Sequence, residues 1–431
     1  MRSCIVRMGI GAVLMHMMAP ECCHAFVVHG AGQPASLRSP PAKRHKPAAK
    51  PGSLRCVDEK LLDGRVLYPG SEGGGWFDDK TTAMPVVLPP DSAAGRDMWL
   101  MYYYGRAGDK WNKGHPAFLP TGSSGVAESR DGLRWTRIAG PLVGGAVMHP
   151  SEEEGAFDEI QLGVTDVLAK QGGGFVMHYL GGSAEGVEMG TAPGMGPLVG
   201  FRMRCLAAES SDGLEWRRLP LPTVDVGAAG EWDSQFASWP RALPCDPSDP
   251  AGNWLISYHA LQPSQSGAPA RWAAGCALTS GRYGVGGPVT KLGRVLEGGA
   301  KGAWDERGIG TRHVIHHGGA MYMLFEGVNA EGVHAIGLAR SGDMGRTWTK
   351  ERVPGKTEAG GPVFEARRGN EMAWDNRVVG TPWVTKVPGT DTYRLYYIGT
   401  GFGEGGAPTT GIGCAESVGG GLTQWRRVSM D

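Results

Sequence analysis

The chain carries no net charge, 43 Lys and Arg standing against 43 Asp and Glu. That balance supplies no overall attraction to nucleic acid. Long apolar runs are missing too. The run nearest the N-terminus, Met8 to Ala19, is too short to span a bilayer, and no other run is long enough for a membrane helix. Helical periodicity is almost absent, which excludes a helical architecture. Cysteine is sparse: eight in 431 residues, with no short metal-ligand spacing among Cys56, Cys205, Cys245, Cys276 and Cys414. Cys205, Cys276 and Cys414 fall at matching places of a repeat and read as small buried hydrophobes.

What the chain has instead is glycine and proline, 71 and 30 residues, the turn-rich composition of an all-β protein. It also has a repeat. The clearest copy runs from Trp304-Asp305 through a β-branched strand and a glycine turn to Leu324-Phe325-Glu326-Gly327. The opening pairs are Phe77-Asp78, Phe157-Asp158, Trp232-Asp233, Trp304-Asp305 and Trp374-Asp375, their aspartates 80, 75, 72 and 70 residues apart. A third element alternates small and apolar residues, then turns at Ser-x-Asp into a Trp: Ser129 to Trp135, Ser210 to Trp216, Ser341 to Trp348. The third unit keeps Gly275 to Ser280 but has no Asp-Gly-x-x-Trp after it. Five units of four short strands, none able to bury its own faces, predict a five-bladed β-propeller with four-stranded blades.

The first 56 residues read as an address. They hold eight of the basic residues and one acid, Glu21, so the remaining chain keeps 35 of the 43 basic and 42 of the 43 acidic residues, a net −7. The Met8–Ala19 run suits a signal-peptide core, with Cys23-His24-Ala25 offering a cleavage site before Phe26. A basic, acid-free stretch follows. The segment resembles the bipartite plastid presequence of algae with secondary plastids; a plain secretory signal with a basic linker is the alternative. The propeller then occupies residues 57–431. Within it, Arg65 to Leu67 matches segments that end other blades, and is expected to complete the last blade's outer strand and close the ring. The connections Arg106 to Ser124, Gly182 to Arg202 and Ala260 to Arg271 are long and are expected to wall a groove on one face.

Residues that recur from blade to blade read as structural: the opening aspartate of all five and the turn residues Asp131, Asp212 and Asp343 of three. Functional residues should break the repeat. Seven and eight positions after each opening Asp stand Pro85-Val86, Thr165-Asp166, Pro240-Arg241, Arg312-His313 and Pro382-Trp383. Inner strands line the axis, so Asp166, Arg241, Arg312 and His313 are expected near the hub. Buried charges need partners, so the set forms either a polar plug or a substrate site. Asp79, Glu159 and Glu306, directly after an opening Asp, are candidates to face the same funnel.

Five blades with Tyr-rich second strands resemble the arabinanase/levansucrase/invertase superfamily, the fold of glycoside hydrolase families 43, 62, 32 and 68, over residues 62 to 431. Gly163-Val164-Thr165-Asp166-Val167-Leu168 is similar to the family 43 blade-two stretch, whose Asp orients and tunes the acid. The resemblance implies hydrolysis or transfer at a glycosidic bond of an oligo- or polysaccharide, with a base Asp in blade one and an acid Glu in blade three. Here those places read Met84-Pro85 and Trp239-Pro240-Arg241. Trp76-Phe77-Asp78-Asp79 resembles the Trp-x-Asn-Asp of family 32, which makes Asp79 the candidate base or nucleophile. Asp166 would orient, and Glu306 is the remaining candidate acid. Asp78, Trp239, Arg241, Arg312, His313 and Trp383 are the substrate-binding candidates, the two tryptophans doubling as axial core. Ser341 to Trp348 fits the Asp-box of sialidases, so a sialidase-like propeller using Arg241 and Arg312 is an alternative. So is a non-catalytic propeller that binds carbohydrate or protein on its loop face. No cofactor is implied, a structural cation in the central channel being left open, and the protein is expected to be a monomer.

Overall fold

The structure, a computed structural model, describes residues 64–70, 74–91, 95–108, 121–187, 197–262, 271–355, 360–403 and 406–429. The presequence-like segment and most of the three long connections lie outside them.

After β1 (Arg65–Leu67), blade one is β2 (Thr81–Leu88), β3 (Trp99–Arg106), β4 (Ser123–Ser129) and β5 (Thr136–Ile138), paired antiparallel in that order. Blade two is β6 (Gln161–Ala169), β7 (Phe175–Gly182), β8 (Met203–Ser210) and β9 (Arg217–Arg218). Blade three is β10 (Ser238–Pro244), β11 (Trp254–Gln262), β12 (Arg271–Thr279) and β13 (Val289–Glu297). Blade four is β14 (Gly308–His317), β15 (Ala320–Val328) and β16 (His334–Ser341), with β17 (Thr349–Lys350) and β18 (Phe364–Glu365) sharing the outer place. Blade five is β19 (Val378–Lys386), β20 (Tyr393–Phe402), β21 (Pro408–Ser417) and β22 (Trp425–Arg427).

The ring closes as the sequence predicts. β1 pairs with β21 at Gly413 and Ile412, while β22 pairs with the same strand at Ala415 to Ser417, so both ends of the propeller build one outer strand. Blade five also grips blade one: the Tyr396 hydroxyl donates to the Gly132 carbonyl at 2.8 Å, and Trp383 Nε1 donates to the Val87 carbonyl at 2.9 Å.

The repeated motif has a physical reason. Each opening Asp is a buried carboxylate held by a cation from the blade's outermost strand: Arg137 on Asp78 (2.8 Å), Arg218 on Asp158 (2.8 Å), Lys291 on Asp233 (2.8 Å), Lys350 on Asp305, and Arg427 on Asp375 (2.7 Å). Second-strand tyrosines add hydroxyl donors, Tyr103 to Asp78, Tyr258 to Asp233 and Tyr397 to Asp375, at 2.9–3.0 Å. The glycine ending the aromatic strand makes room for this latch. A Cβ on Gly105, Gly181, Gly327 or Gly399 would stand 2.4, 2.8, 2.7 or 2.8 Å from the Cβ of the blade's own opening Asp. The latch therefore fastens the start of each blade to its rim.

The Ser-x-Asp turns form as expected, Ser129, Ser210 and Ser341 donating to Asp131, Asp212 and Asp343 at 2.8–3.0 Å. In blade three a short 3₁₀ turn, Arg282–Gly284, replaces the box. Its Tyr283 takes over the inter-blade contact: the carbonyl accepts from His178 Nε2 at 2.8 Å, and the hydroxyl accepts the Gln171 N–H at 2.7 Å. Cys205, Cys276 and Cys414 are buried on third strands, where burial raises the thiols' pKa, to about 12 for Cys276. They are packing residues.

Candidate functional site

An innermost strand has a paired neighbour on one side, and its other edge faces the axis with unpaired N–H and C=O groups. Every inner strand here carries a bulge at the same place. The register breaks between Ala83 and Val86, Val164 and Asp166, Ser238 and Arg241, Ile309 and Arg312, and Gly380 and Trp383. Met84, Trp239 and Thr381 sit in these bulges at φ of 54°, 60° and 45°, a conformation costly for side-chain-bearing residues. The bulges turn backbone groups toward the hub.

Side chains that break the repeat satisfy those groups. On the donor side, the Ala242 N–H gives to Asp166 Oδ2 at 2.8 Å, the Val384 N–H to His313 Nδ1 at 2.9 Å, and the Thr381 N–H to Glu326 Oε2 at 3.1 Å. On the acceptor side, Arg241 gives Nε to the Thr165 carbonyl (2.9 Å) and Nη1 to the Pro382 carbonyl (2.6 Å). Arg312 gives to the Trp239 and Gly310 carbonyls. The Thr165 hydroxyl gives to the Pro240 carbonyl at 2.6 Å. These bonds stitch blade two to three, three to four and four to five.

Trp383 lies at the centre of this set. The His313 ring stacks on it at 4.0 Å between centroids, and the Arg241 guanidinium lies 5.0 Å over its face. Met84, Tyr104, Phe201, Trp239, Val328 and Ile398, drawn from all five blades, join one buried apolar cluster.

Electrostatics follow from burial. Desolvation raises the Asp166 carboxyl to about 7, against the pull of the Ala242 N–H and of Arg241. Burial lowers the guanidinium of Arg241 to about 9 and of Arg312 to about 10, and both stay charged at neutral pH. Burial, with Arg241 nearby, holds His313 well below the ordinary imidazole range. Since His313 Nδ1 accepts a hydrogen bond, its proton sits on Nε2.

The sequence-predicted residues thus divide. Asp166, Trp239, Arg241, Arg312, His313 and Trp383 come together at the hub. Asp78, Asp79 and Glu306 do not. Asp78 is a latch residue, fully buried between Arg137 and Tyr103, and burial raises its pKa. Asp79 accepts the Gly75 N–H at 2.9 Å, and Glu306 accepts the Gly302 N–H. Glu159 does the same with the Gly155 N–H at 3.1 Å. All three cap the turn entering a blade, so they recur for a structural reason. Asp79 lies seven residues before Val86, the blade-one counterpart of Asp166, on the order of 20 Å of extended chain.

Sequence reasoning missed Glu326 and His334. Glu326 Oε1 receives His334 Nδ1 at 2.6 Å, and its Oε2 receives the Thr311 hydroxyl. Glu326 stands where other blades have Tyr104, Leu180, His259 and Ile398, so the same search for breaks in the repeat, run on second strands, would have found it. No group of three or more His, Cys, Asp or Glu side chains among the described residues could hold a metal ion. Asp166 and Glu326, the carboxylates at the hub, are each buried and already accept backbone N–H groups.

No family model matches the sequence. No curated protein matches it either. Solved structures do match. One is described as a glycoside hydrolase: 15% identical, TM-score 0.55, covering 82% of this chain and 92% of that one. A thermostable family-43 glycoside hydrolase is 15% identical, with TM-score 0.52 over 84% of this chain and 98% of that one. The chain has the glycoside hydrolase family 43 type of propeller fold. An α-L-arabinofuranosidase from Lactobacillus brevis is similar at 10% identity and TM-score 0.52, over 81% of this chain and 95% of that one. At such identities the likeness is one of fold. In this glycoside-hydrolase-like propeller, the places that the sequence resemblance reserves for base and acid hold Met84 and Trp239, both buried.

Proposed function

We propose that this glycoside-hydrolase-like propeller recognises a carbohydrate on its loop face, and that its hub holds the ring together instead of cleaving the bond. One observation carries the second half: both hub carboxylates are committed to inner-strand N–H groups and buried. Glycosidic hydrolysis needs two carboxyls free to reach the substrate, roughly 5–10 Å apart. The carbohydrate half rests on the fold. Hydrolysis is the second reading, favoured by Asp166, whose carboxyl at about 7 is the kind of raised acid a general-acid role needs.

The test pairs a polysaccharide binding panel (arabinan, xylan, fructan and pectin by affinity electrophoresis) with turnover of aryl glycosides. Retardation by at least one polymer without turnover is the expected result. Turnover by the wild type that Asp166→Asn abolishes would establish the hydrolytic reading. No retardation by any polymer would remove the carbohydrate half.

A further inference from the structure

Among the described hub side chains, Arg241 alone hydrogen-bonds carbonyls of two other blades. It starts in blade three, yet bonds a carbonyl of blade two and a carbonyl of blade five. Blades three and five are not neighbours in the ring, and neither are two and five. A group that touches all three must lie across the axis. Arg312 adds the bulge carbonyls of Trp239 and Gly310 to the same arrangement. Four bulge carbonyls, from blades two to five, therefore receive positively charged donors. The face of Trp383, the carboxyl of Asp166 and, opposing them, the like-charged guanidinium of Arg312 also stand near the Arg241 guanidinium.

Converging backbone carbonyls, an acidic side chain and an aromatic face are the coordination that a hard or weakly hydrated cation takes. We propose that the propeller axis is a cation site that the chain fills itself, the guanidinium of Arg241 acting as an internal cation that ties blades two, three and five. A planar fork suits the task because its N–H groups diverge toward carbonyls in different directions, which a lysine ammonium on a single stem does not reproduce. With Arg241 shortened, a dormant ligand site is left: the carbonyls of Thr165 and Pro382, the Trp383 face and Asp166 remain and should accept a small cation from solution.

Melting temperature is the readout. Arg241→Ala is expected to melt roughly 5 °C or more below the wild type. Methylguanidinium, added well below denaturing concentrations, is expected to restore part of that loss in the variant and none in the wild type, with sodium chloride at equal ionic strength as control. Arg241→Lys is expected to melt below the wild type and to gain nothing from methylguanidinium. Wild-type melting is expected to be unchanged by EDTA or added calcium, a measurement that stands even if Arg241→Ala fails to fold. A wild type that loses stability in EDTA and regains it with a metal ion would overturn the proposal. So would an Arg241→Ala protein that melts with the wild type, or one that no cation restores.

Discussion

Asp166 is a buried acid whose ionisation opposes folding. Its carboxyl titrates at about 7 in the folded chain, against an ordinary value of 3.8. The folded state therefore keeps a proton that the unfolded state has lost, and the stability linked to this group falls as pH rises from about 4 through about 7. The window is worth about 4 kcal/mol. His178, His259 and His313 work the other way: burial lowers all three, so their contribution is present above the ordinary imidazole value of 6.5 and lost below it. Only a difference isolates Asp166. Asp166→Asn keeps an acceptor for the Ala242 N–H while removing the charge. Denaturant unfolding at pH 5 and pH 8 is expected to show the wild type losing ground to the variant by a few kcal/mol at the higher pH. A constant gap would mean the carboxyl does not titrate in that range.

At the scale of the blade, the latch is the unit that matters. Asp375, fully buried, receives the partly buried Arg367 and Arg427, each at 2.7 Å, and the Tyr397 hydroxyl at 2.9 Å. Removing one partner of a buried ion pair strands the others, so Asp375→Ala is expected to cost about 3–5 kcal/mol in equilibrium unfolding. Asp391, a fully exposed partner of Lys386, supplies the control, since Asp391→Ala is expected to change stability by less than about 0.5 kcal/mol. Equal effects at the two sites would deny the latch its role. The same logic separates function from repetition. Asp79, Glu159 and Glu306 differ in side-chain length and neighbours, yet each accepts the N–H four residues earlier, which marks them as turn caps.

For the whole molecule, closure is the decisive event. Val66 and Leu67 are buried against blade five, and without β1 the Gly413–Ile412 edge of β21 loses its partner. Deleting residues 62–70 is expected to lower stability by about 3–6 kcal/mol from the lost burial of Val66 and Leu67 alone, and to broaden the thermal transition. A deletion with unchanged melting temperature would show that the ring closes without it. Because the hub side chains join blades far apart in sequence, such a loss should also be felt at the axis, through Trp383 and its bond to Val87 in blade one.

The sequence by itself determined the blades. An aromatic-Asp pair, a glycine-ended aromatic strand and a Ser-x-Asp turn are local devices, repeated with small changes, and each carries its packing reason in its own residue types. It also pointed to Asp166, Arg241, Arg312 and His313, because breaks in a repeat are visible without coordinates. Only the tertiary structure decided which groups those residues bond. Whether a buried charge serves a ligand or a neighbouring strand depends on which backbone groups the bulges turn toward it, and those groups come from blades 70 or more residues away. Their partners, the Ala242 and Val384 N–H and the Thr165 and Pro382 carbonyls, are backbone atoms, which every residue possesses and no sequence pattern distinguishes.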